Sequence, residues 1–370
     1  MKLLRFLERR LTDPLPQNML HKWIRSGQVR VNGGRAKSFD TLEAGDAVRI
    51  PPFAAVRSLE GDSSPGSLAG TAALAGNALG PDLHVAGGTE HYLILSKPGG
   101  LPCQPGSGHS DSVSTRLAEV FSSSSFIPAP AHRLDRDTSG LVIAGLSHAA
   151  QQWLHTLFRH GGIHKEYLAW VAGDWPHESP CLLEDTLAVQ QDRDGRERVG
   201  PIGQGNIGPV AGNKGVLLEK DAMRSQGKSL CVALAVERLP LEAMRSLPAF
   251  LRGEKTNARI GYGSATLLLL RLLTGHKHQI RVQLASRGFA IIGDRRYGGP
   301  PFSRMLLHAY ALGLPAAPMP YSSSPPTPQT FTLPPDWPAP FSPDPIALVK
   351  VADTLRSALP ESRSMSLDAT

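Results

Sequence analysis

His132-Arg133-Leu134-Asp135-Arg136-Asp137-Thr138-Ser139-Gly140 runs straight into the apolar stretch Leu141-Val142-Ile143-Ala144. A short polar loop thus delivers a carboxylate to the start of a buried strand. Asp135 lies between two arginines, and opposite charges within a few Å favour the ionised carboxylate. The strand behind it holds it rigidly. Those are the surroundings of a nucleophilic or basic carboxylate. The same residues read equally well as a structural loop capped by Asp and Ser. Asp137, placed before Thr138-Ser139-Gly140, suits a turn-stabilising role better than a reactive one.

The 370 residues suffice for a large core and two domains. A net charge of +7 suits an anionic partner. The excess is uneven: residues 1–50 hold ten Lys and Arg against five Asp and Glu, +5 of that +7. Cys103, Cys181 and Cys231 are odd in number and widely separated, as expected of reduced thiols in a cytoplasmic protein. The N-terminus lacks the apolar core of a secretory signal. The longest apolar run, around Leu267–Leu270, is too short to span a bilayer, so no membrane association is expected. His160, His164, His276 and His278 have no metal-like spacing, and no metal site is expected. Gly203-Gln204-Gly205-Asn206-Ile207-Gly208 matches a dinucleotide-binding pattern. No apolar strand precedes it and Pro209 follows, so it reads as a flexible loop.

Residues 1–52 form a compact unit. Leu3, Leu4, Leu7 and Leu11 recur at helical spacing. Asn18 can cap a second helix, with Met19, Leu20, Trp23 and Ile24 inward and Lys22 and Arg25 outward. Val29-Arg30-Val31 alternates as a strand, Asn32-Gly33 signals a hairpin, and Ala47–Ile50 alternates again. Residues 53–83 read as a flexible linker, since sixteen of the 24 residues from 58 to 81 are Gly, Ser, Ala or Pro. Residues 84–350 form a second domain. Helices are expected over 111–121 and 147–160, and strands over 167–171, 229–236 and 266–273. The elements alternate without repeating βαβ units, so the fold class is α+β with a largely antiparallel sheet. Residues 190–228 and 239–263 read as solvated insertions. Residues 315–345 are proline-rich and read as an extended surface segment. Residues 351–370 read as a frayed tail.

The nonapeptide from His132 to Gly140 resembles the central motif of the RluA-type pseudouridine synthases. Further matches follow in that family's order: Lys97-Pro98-Gly99-Gly100, Lys165-Glu166-Tyr167-Leu168-Ala169, Thr274 to Val282, Gly293-Asp294 with Tyr297-Gly298, and Leu306 to Tyr310. Together they cover roughly residues 90–315. The first domain resembles the S4 RNA-binding module through Gly27-x-Val29-x-Val31-Asn32-Gly33 and Ala44-Gly45-Asp46-x-Val48, and Gly45 to Pro52 is similar to the RluC-like members.

The resemblance implies a pseudouridine synthase domain with a mixed, largely antiparallel sheet, preceded by an S4-like domain. It implies isomerisation of uridine in RNA, with large-subunit ribosomal RNA as partner and the protein acting as a monomer. That chemistry breaks an N1–C1′ bond and forms a C5–C1′ bond. It transfers no hydride or phosphate, so no cofactor is expected. Asp135 becomes the reacting carboxylate, attacking C1′ or removing a proton from C2′. Arg281 becomes its ion partner, a task that suits a guanidinium. Tyr167 becomes the platform under a flipped-out base, and Arg133 fills the gap left in the RNA stack. His132, Lys97, Lys165, His278 and Gln279 complete the substrate-binding candidates, with a structural role the stronger alternative for His132. Lys22, Arg25, Arg30, Arg35 and Lys37 are the expected RNA-binding residues of the first domain. Two departures stand out. His276 occupies a position where the family usually has arginine, and Gln104 one where histidine is common. A ribosome-assembly factor that binds RNA without catalysis, and a synthase directed at transfer RNA, are the alternatives.

Overall fold

The computed structural model describes residues 2–10, 17–25, 27, 29–43, 45–50, 78–106, 110–191, 197–210, 228–240, 243, 264–316 and 327–359. Near the N-terminus, α1 (Leu3–Arg10) and α2 (Gln17–Arg25) accompany a three-stranded antiparallel sheet of β1 (Arg30–Val31), β2 (Gly34–Arg35) and β3 (Val48–Arg49). Leu3, Leu7, Leu20, Trp23, Ile24 and Val29 form its core. The hairpin turns at Asn32 and Gly33, both in the left-handed region, as an Asn-Gly turn requires. Arg25, Arg35 and Lys37 are exposed and Arg30 is half-buried, while Lys22 lies on α2. Most of the expected linker, residues 51–77, lies outside the described residues. Its last part differs from expectation: Leu79 and Leu83 are buried in the main core, so the second domain begins before residue 84.

The second domain is built on a twelve-stranded sheet. Its strands are β4 (His84–Gly88), β5 (Tyr92–Lys97), β6 (Ala129–Pro130), β7 (Ser139–Gly145), β8 (His164–Ala172), β9 (Cys181–Gln191), β10 (Glu197–Pro201), β11 (Asn206–Pro209), β12 (Lys228–Pro240), β13 (Ser264–Leu272), β14 (Leu307–Leu314) and β15 (Gln329–Thr332). The main path runs β10-β9-β12-β13-β8-β14-β7-β5-β4. Every pair is antiparallel except β14 with β7. Helices α3 (Val113–Val120), α4 (His148–His160), α5 (Gln279–Ala285) and α6 (Pro345–Ala358) complete the domain. Ser112 and Ser147 cap α3 and α4, and Gly161 ends α4 in a left-handed conformation, where glycine costs least.

Strand β8 shows how the sheet separates two cores. Tyr167, Ala169 and Val171 face one cluster, and Leu168 and Trp170 face the other. Strands buried on both faces read as continuous apolar runs, which is why Leu267–Leu270 lacks alternation. The second cluster is closed by α6, through Leu348, Ala352 and Leu355, and by Trp337 and Phe341. The expected frayed tail is therefore helical through Ala358, and the proline-rich segment contributes a strand and two buried aromatics. The expected solvated insertion at 190–228 also differs. Strands β10 and β11 both pair with β9, and Asn206–Pro209 belongs to a strand rather than a loop. Residues 241–242 and 244–263 lie outside the described residues.

The motif loop enters the sheet at the parallel pairing. Gly140 has a φ of +112°, and a Cβ there would collide with the Ala309 carbonyl oxygen. Only glycine lets β7 approach β14 this closely. Beside it, His308 is 3% exposed. Its Nδ1 lies 2.8 Å from Ser139 Oγ and its Nε2 lies 2.9 Å from the Leu333 carbonyl. A carbonyl only accepts, so Nε2 carries the proton and the ring is satisfied neutral. Burial pulls its pKa from 6.5 down to about 4. Between those values the unfolded chain binds the extra proton and the fold does not, so stability falls as pH drops through that window. We expect the urea midpoint to fall between pH 7 and pH 4.5, and the fall to be shallower in His308→Gln. His308 alone accounts for at most about 3 kcal/mol, at 1.4 kcal/mol per pK unit. Parallel pH profiles for the two proteins would refute this assignment.

Candidate active site

Asp135 sits where three segments meet. The loop from β6 to β7 carries it, and α5 and the loop after it face it. The loop is fastened through its backbone. Leu134 N–H donates to Cys103 Sγ at 3.2 Å, and Thr138 N–H donates to the Asp135 carbonyl at 3.1 Å. The Arg136 carbonyl accepts from Gly100 N–H at 2.8 Å and from Lys97 Nζ at 3.0 Å.

That last contact corrects the expectation for Lys97. Its side chain is buried, and its ammonium also donates to the Pro98 and Leu101 carbonyls at 2.8 and 2.7 Å. All three donors are used on the backbone, so Lys97 builds the loop rather than facing the substrate. Burial lowers its pKa to about 8.

The carboxylate of Asp135 accepts from Arg281 Nη1 at 3.0 Å. Arg281 is 5% exposed and points inward from α5. Its bidentate partner is Asp294 rather than Asp135. Nε and Nη2 donate to the two Asp294 oxygens at 2.7 and 2.8 Å. Asp294 also accepts from the backbone N–H groups of Arg296 and Tyr297 at 3.1 and 3.2 Å. Burial opposes the Arg281 charge, but Asp294 and then Asp135 overcome it and hold the guanidinium ionised. Sequence reasoning matched the Gly293-Asp294 loop without giving Asp294 a task.

His278 adopts a left-handed conformation, φ 56°, at the start of α5. This aims its ring back at the carboxylate, with Nε2 3.8 Å from Asp135 Oδ1. Burial lowers its pKa to about 4, although Asp135 pulls the other way. The ring is therefore neutral at neutral pH. Its Nδ1 lies 2.8 Å from Tyr297 Oη. The Tyr297 ring is flanked by the guanidinium carbons of Arg198 at 4.9 Å and Arg281 at 5.1 Å. Arg198 comes from β10, so the segment expected to be a solvated insertion braces the centre of the site.

A cavity of about 590 Å³ opens beside Asp135. Tyr167, Phe158, Leu272, Ile280 and Leu307 give it an apolar floor, and Lys165, His276, Lys277 and Arg133 rim it. Tyr167 is 8% exposed. Burial, with Asp135 adding to it, raises its pKa, so the phenol is neutral. Its hydroxyl has no protein partner among the described residues. Arg133 is exposed at the rim.

The expectations for Gln279 and Asp137 are corrected here, while His132 takes the structural role that was its stronger alternative. Gln279 is buried, and its amide is fully used inside the protein. Oε1 accepts from Thr274 Oγ1 and His276 N–H, and Nε2 donates to the Leu230 carbonyl and to Gln283 Oε1. It fixes the turn before α5 and has no group left for a substrate. His132 lines the cavity, but its Nε2 accepts from Ile143 N–H at 3.2 Å and its ring packs 4.5 Å from that of Phe158. Burial takes its pKa down to about 3. Asp137 pairs with Arg136 at 3.0 Å rather than capping the turn.

The site thus offers one carboxylate beside a fixed cation, a neutral histidine and an unoccupied phenol above an apolar floor. Comparison with known proteins places the chain in a family. A family model described as RNA pseudouridylate synthase matches residues 91–286. The chain is 32% identical over 295 residues to the ribosomal large subunit pseudouridine synthase C of Escherichia coli (strain K12), covering 80% of this chain and 76% of that protein. It is 28% identical over 309 residues to the protein of the same name from Pasteurella multocida (strain Pm70), covering 80% and 78%. Among solved structures it shares a fold with human RNA Pseudouridylate Synthase Domain Containing 1, at a TM-score of 0.51 and 20% identity, covering 76% of this chain and 97% of that one. The matched span encloses Asp135, Tyr167 and Arg281, and the chain belongs to the RNA pseudouridylate synthase family.

Proposed function

We propose that this protein converts specific uridines of large-subunit ribosomal RNA to pseudouridine, with Asp135 as the reacting carboxylate. The observation that carries the reading is the 3.0 Å pair between Asp135 and the buried Arg281 at the mouth of an apolar-floored cavity. A stacked uridine is out of reach of any side chain, so the base is flipped into that cavity. Tyr167 lies under the ring and Lys165 at its edge. Arg281 holds the carboxylate charged and aimed at the sugar, where it attacks C1′ or takes the C2′ proton. The neutral His278 borders the carboxylate without neutralising it. Arg133, exposed at the rim, occupies the space the base leaves.

The N-terminal unit supplies affinity. Its helices, hairpin and exposed Arg25, Arg35 and Lys37 fit the S4-like reading of residues 1–52, with phosphate contacts rather than base reading. We take the protein to act as a cytoplasmic monomer. The large-subunit target follows from the names of the relatives and from this N-terminal unit.

The test is a gene deletion followed by chemical mapping of pseudouridine in ribosomal and transfer RNA. We expect at least one site in the large-subunit RNA to disappear and to return when the wild-type gene is restored. An unchanged map removes the reading. Loss confined to transfer RNA reassigns the substrate.

A further inference from the structure

A second groove adjoins the cavity, with a volume of about 770 Å³. The two share Arg133, Asp135, Lys277, His278 and Arg281, so they are continuous and meet at Asp135. Their walls differ in kind. The first has an apolar floor. The second is lined by Arg133, Arg136, Lys277, Arg295, Arg296 and Arg304, and the one Phe, Tyr or Trp in its lining, Phe302, is buried.

Five of these six cations fall into two groups. Arg136 is paired with Asp137 and Arg304 with Asp336, each at 3.0 Å. Arg133, Lys277 and Arg295 are exposed, and none has an ion pair among the described residues. The wall between them includes Gly99, Gly100 and Gly293, which have no side chain to keep an extended polymer away. Gly293 has a φ of +82°, and a Cβ there would strike the Arg304 carbonyl. The turn that presents Arg295 and Arg296 therefore depends on it.

We propose that this groove is a phosphate track. It binds the sugar–phosphate backbone of the single-stranded RNA on one side of the flipped uridine, through Arg295 and Lys277, and begins at the junction where Arg133 stands. The order of the two cavities matches the order of a nucleotide. The base has an apolar cavity, the sugar meets Asp135 at the junction, and the phosphates continue into a cationic groove whose lining holds no exposed Phe, Tyr or Trp ring. A base-reading groove needs aromatic faces or matched donors and acceptors. This one offers unpaired positive charge, which neutralises phosphates and releases counterions. The inference rests on the proposed function and adds a direction: RNA on one side of the target is held by charge, independently of sequence.

The test uses a large-subunit RNA fragment around a uridine whose modification the gene deletion abolishes. Neutral methylphosphonate linkages replace two phosphates, first on the 5′ side of that uridine and then on the 3′ side. Binding of each RNA to the full-length wild type and to Lys277→Ser/Arg295→Ser is measured from 50 to 200 mM salt. For the wild type, neutral linkages on one side only should weaken binding, by roughly threefold to tenfold per lost contact. The slope of log K against log salt should fall by about 0.7 per contact. The variant should show the same loss with the unmodified RNA and no further loss with that neutral side. Equal sensitivity on both sides, or additive losses in variant and neutral RNA, overturns the track. Conversion of the unmodified RNA by the wild type is scored separately. If it makes no pseudouridine, the proposed function fails. If it makes pseudouridine while both neutral RNAs bind as well as the native one, only the track fails.

Discussion

Asp135→Asn should abolish pseudouridine formation while leaving RNA binding intact. Asparagine keeps the shape of the side chain and loses its charge. Its amide can neither attack C1′ nor take a proton from C2′ at a useful rate. Removing the one group that does the chemistry costs on the order of 10³-fold or more in other enzymes. We expect the single-turnover rate on a saturating RNA fragment to fall by at least about that factor. The fold should survive, because Asp135 is partly exposed and Arg281 keeps both contacts to Asp294. Affinity for RNA should hold or rise, since a negative charge leaves a cationic cleft. A gel-based conversion assay beside a binding isotherm decides the matter. A variant that converts within tenfold of wild type would show that the carboxylate chemistry resides elsewhere, with Asp137 the nearest alternative.

How these residues were read in the sequence follows from how local their causes are. The Asp135 loop was legible because charge, turn residues and an apolar strand occur within thirteen consecutive positions, His132 to Ala144. Helix α4 was legible for the same reason: a capping serine, an apolar stripe and a stopping glycine are all local. The hairpin at Asn32-Gly33 needed two residues. What stayed hidden depends on partners far along the chain. Lys97 before Pro98-Gly99-Gly100 looks like an exposed loop cation, and only the Arg136 carbonyl, 39 residues away, makes it structural. Gln279 looked available until the turn and Leu230 took up its amide. Glu166 sits one residue from Tyr167, yet faces the opposite side of the sheet, as strand alternation demands. There it is buried between Arg271 at 2.8 Å and Arg356 of α6 at 2.9 Å. That ion cluster pins the C-terminal helix that composition alone made a frayed tail. Strand β10 was hidden by its short, Gly- and Pro-containing sequence, which gives no alternation to read.

The same non-local logic makes Asp294 the second position where a large effect is expected. Its side chain is fully buried, with four donors converging on its two oxygens. Two come from Arg281, which would otherwise be a buried guanidinium free to turn. With Asp294 in place, Arg281 has one remaining direction for Nη1, and that direction is Asp135. Asp294 is therefore a positioning residue: it touches no substrate and acts through Arg281. Truncation to alanine removes the bidentate partner of a buried cation and leaves it only Asp135, at a cost of up to about 3–5 kcal/mol, and Asp294→Ala should unfold at markedly lower urea. Asp294→Asn keeps the volume and part of the hydrogen bonding, and is the informative variant. We expect it to fold and to bind RNA as wild type does, with a single-turnover rate lowered about 100-fold, the scale on which misplacing a catalytic group by about 1 Å acts. A purely structural residue would lower affinity and stability together and leave the rate of the bound complex unchanged. The double variant Asp294→Asn/Arg281→Lys should be little slower than Arg281→Lys alone, because both changes act on one pair. Additive losses, or a wild-type single-turnover rate in Asp294→Asn, would separate Asp294 from the chemistry. Shared dependence would establish that the reacting carboxylate is aimed by a second carboxylate, 159 residues further along the chain, through one arginine between them.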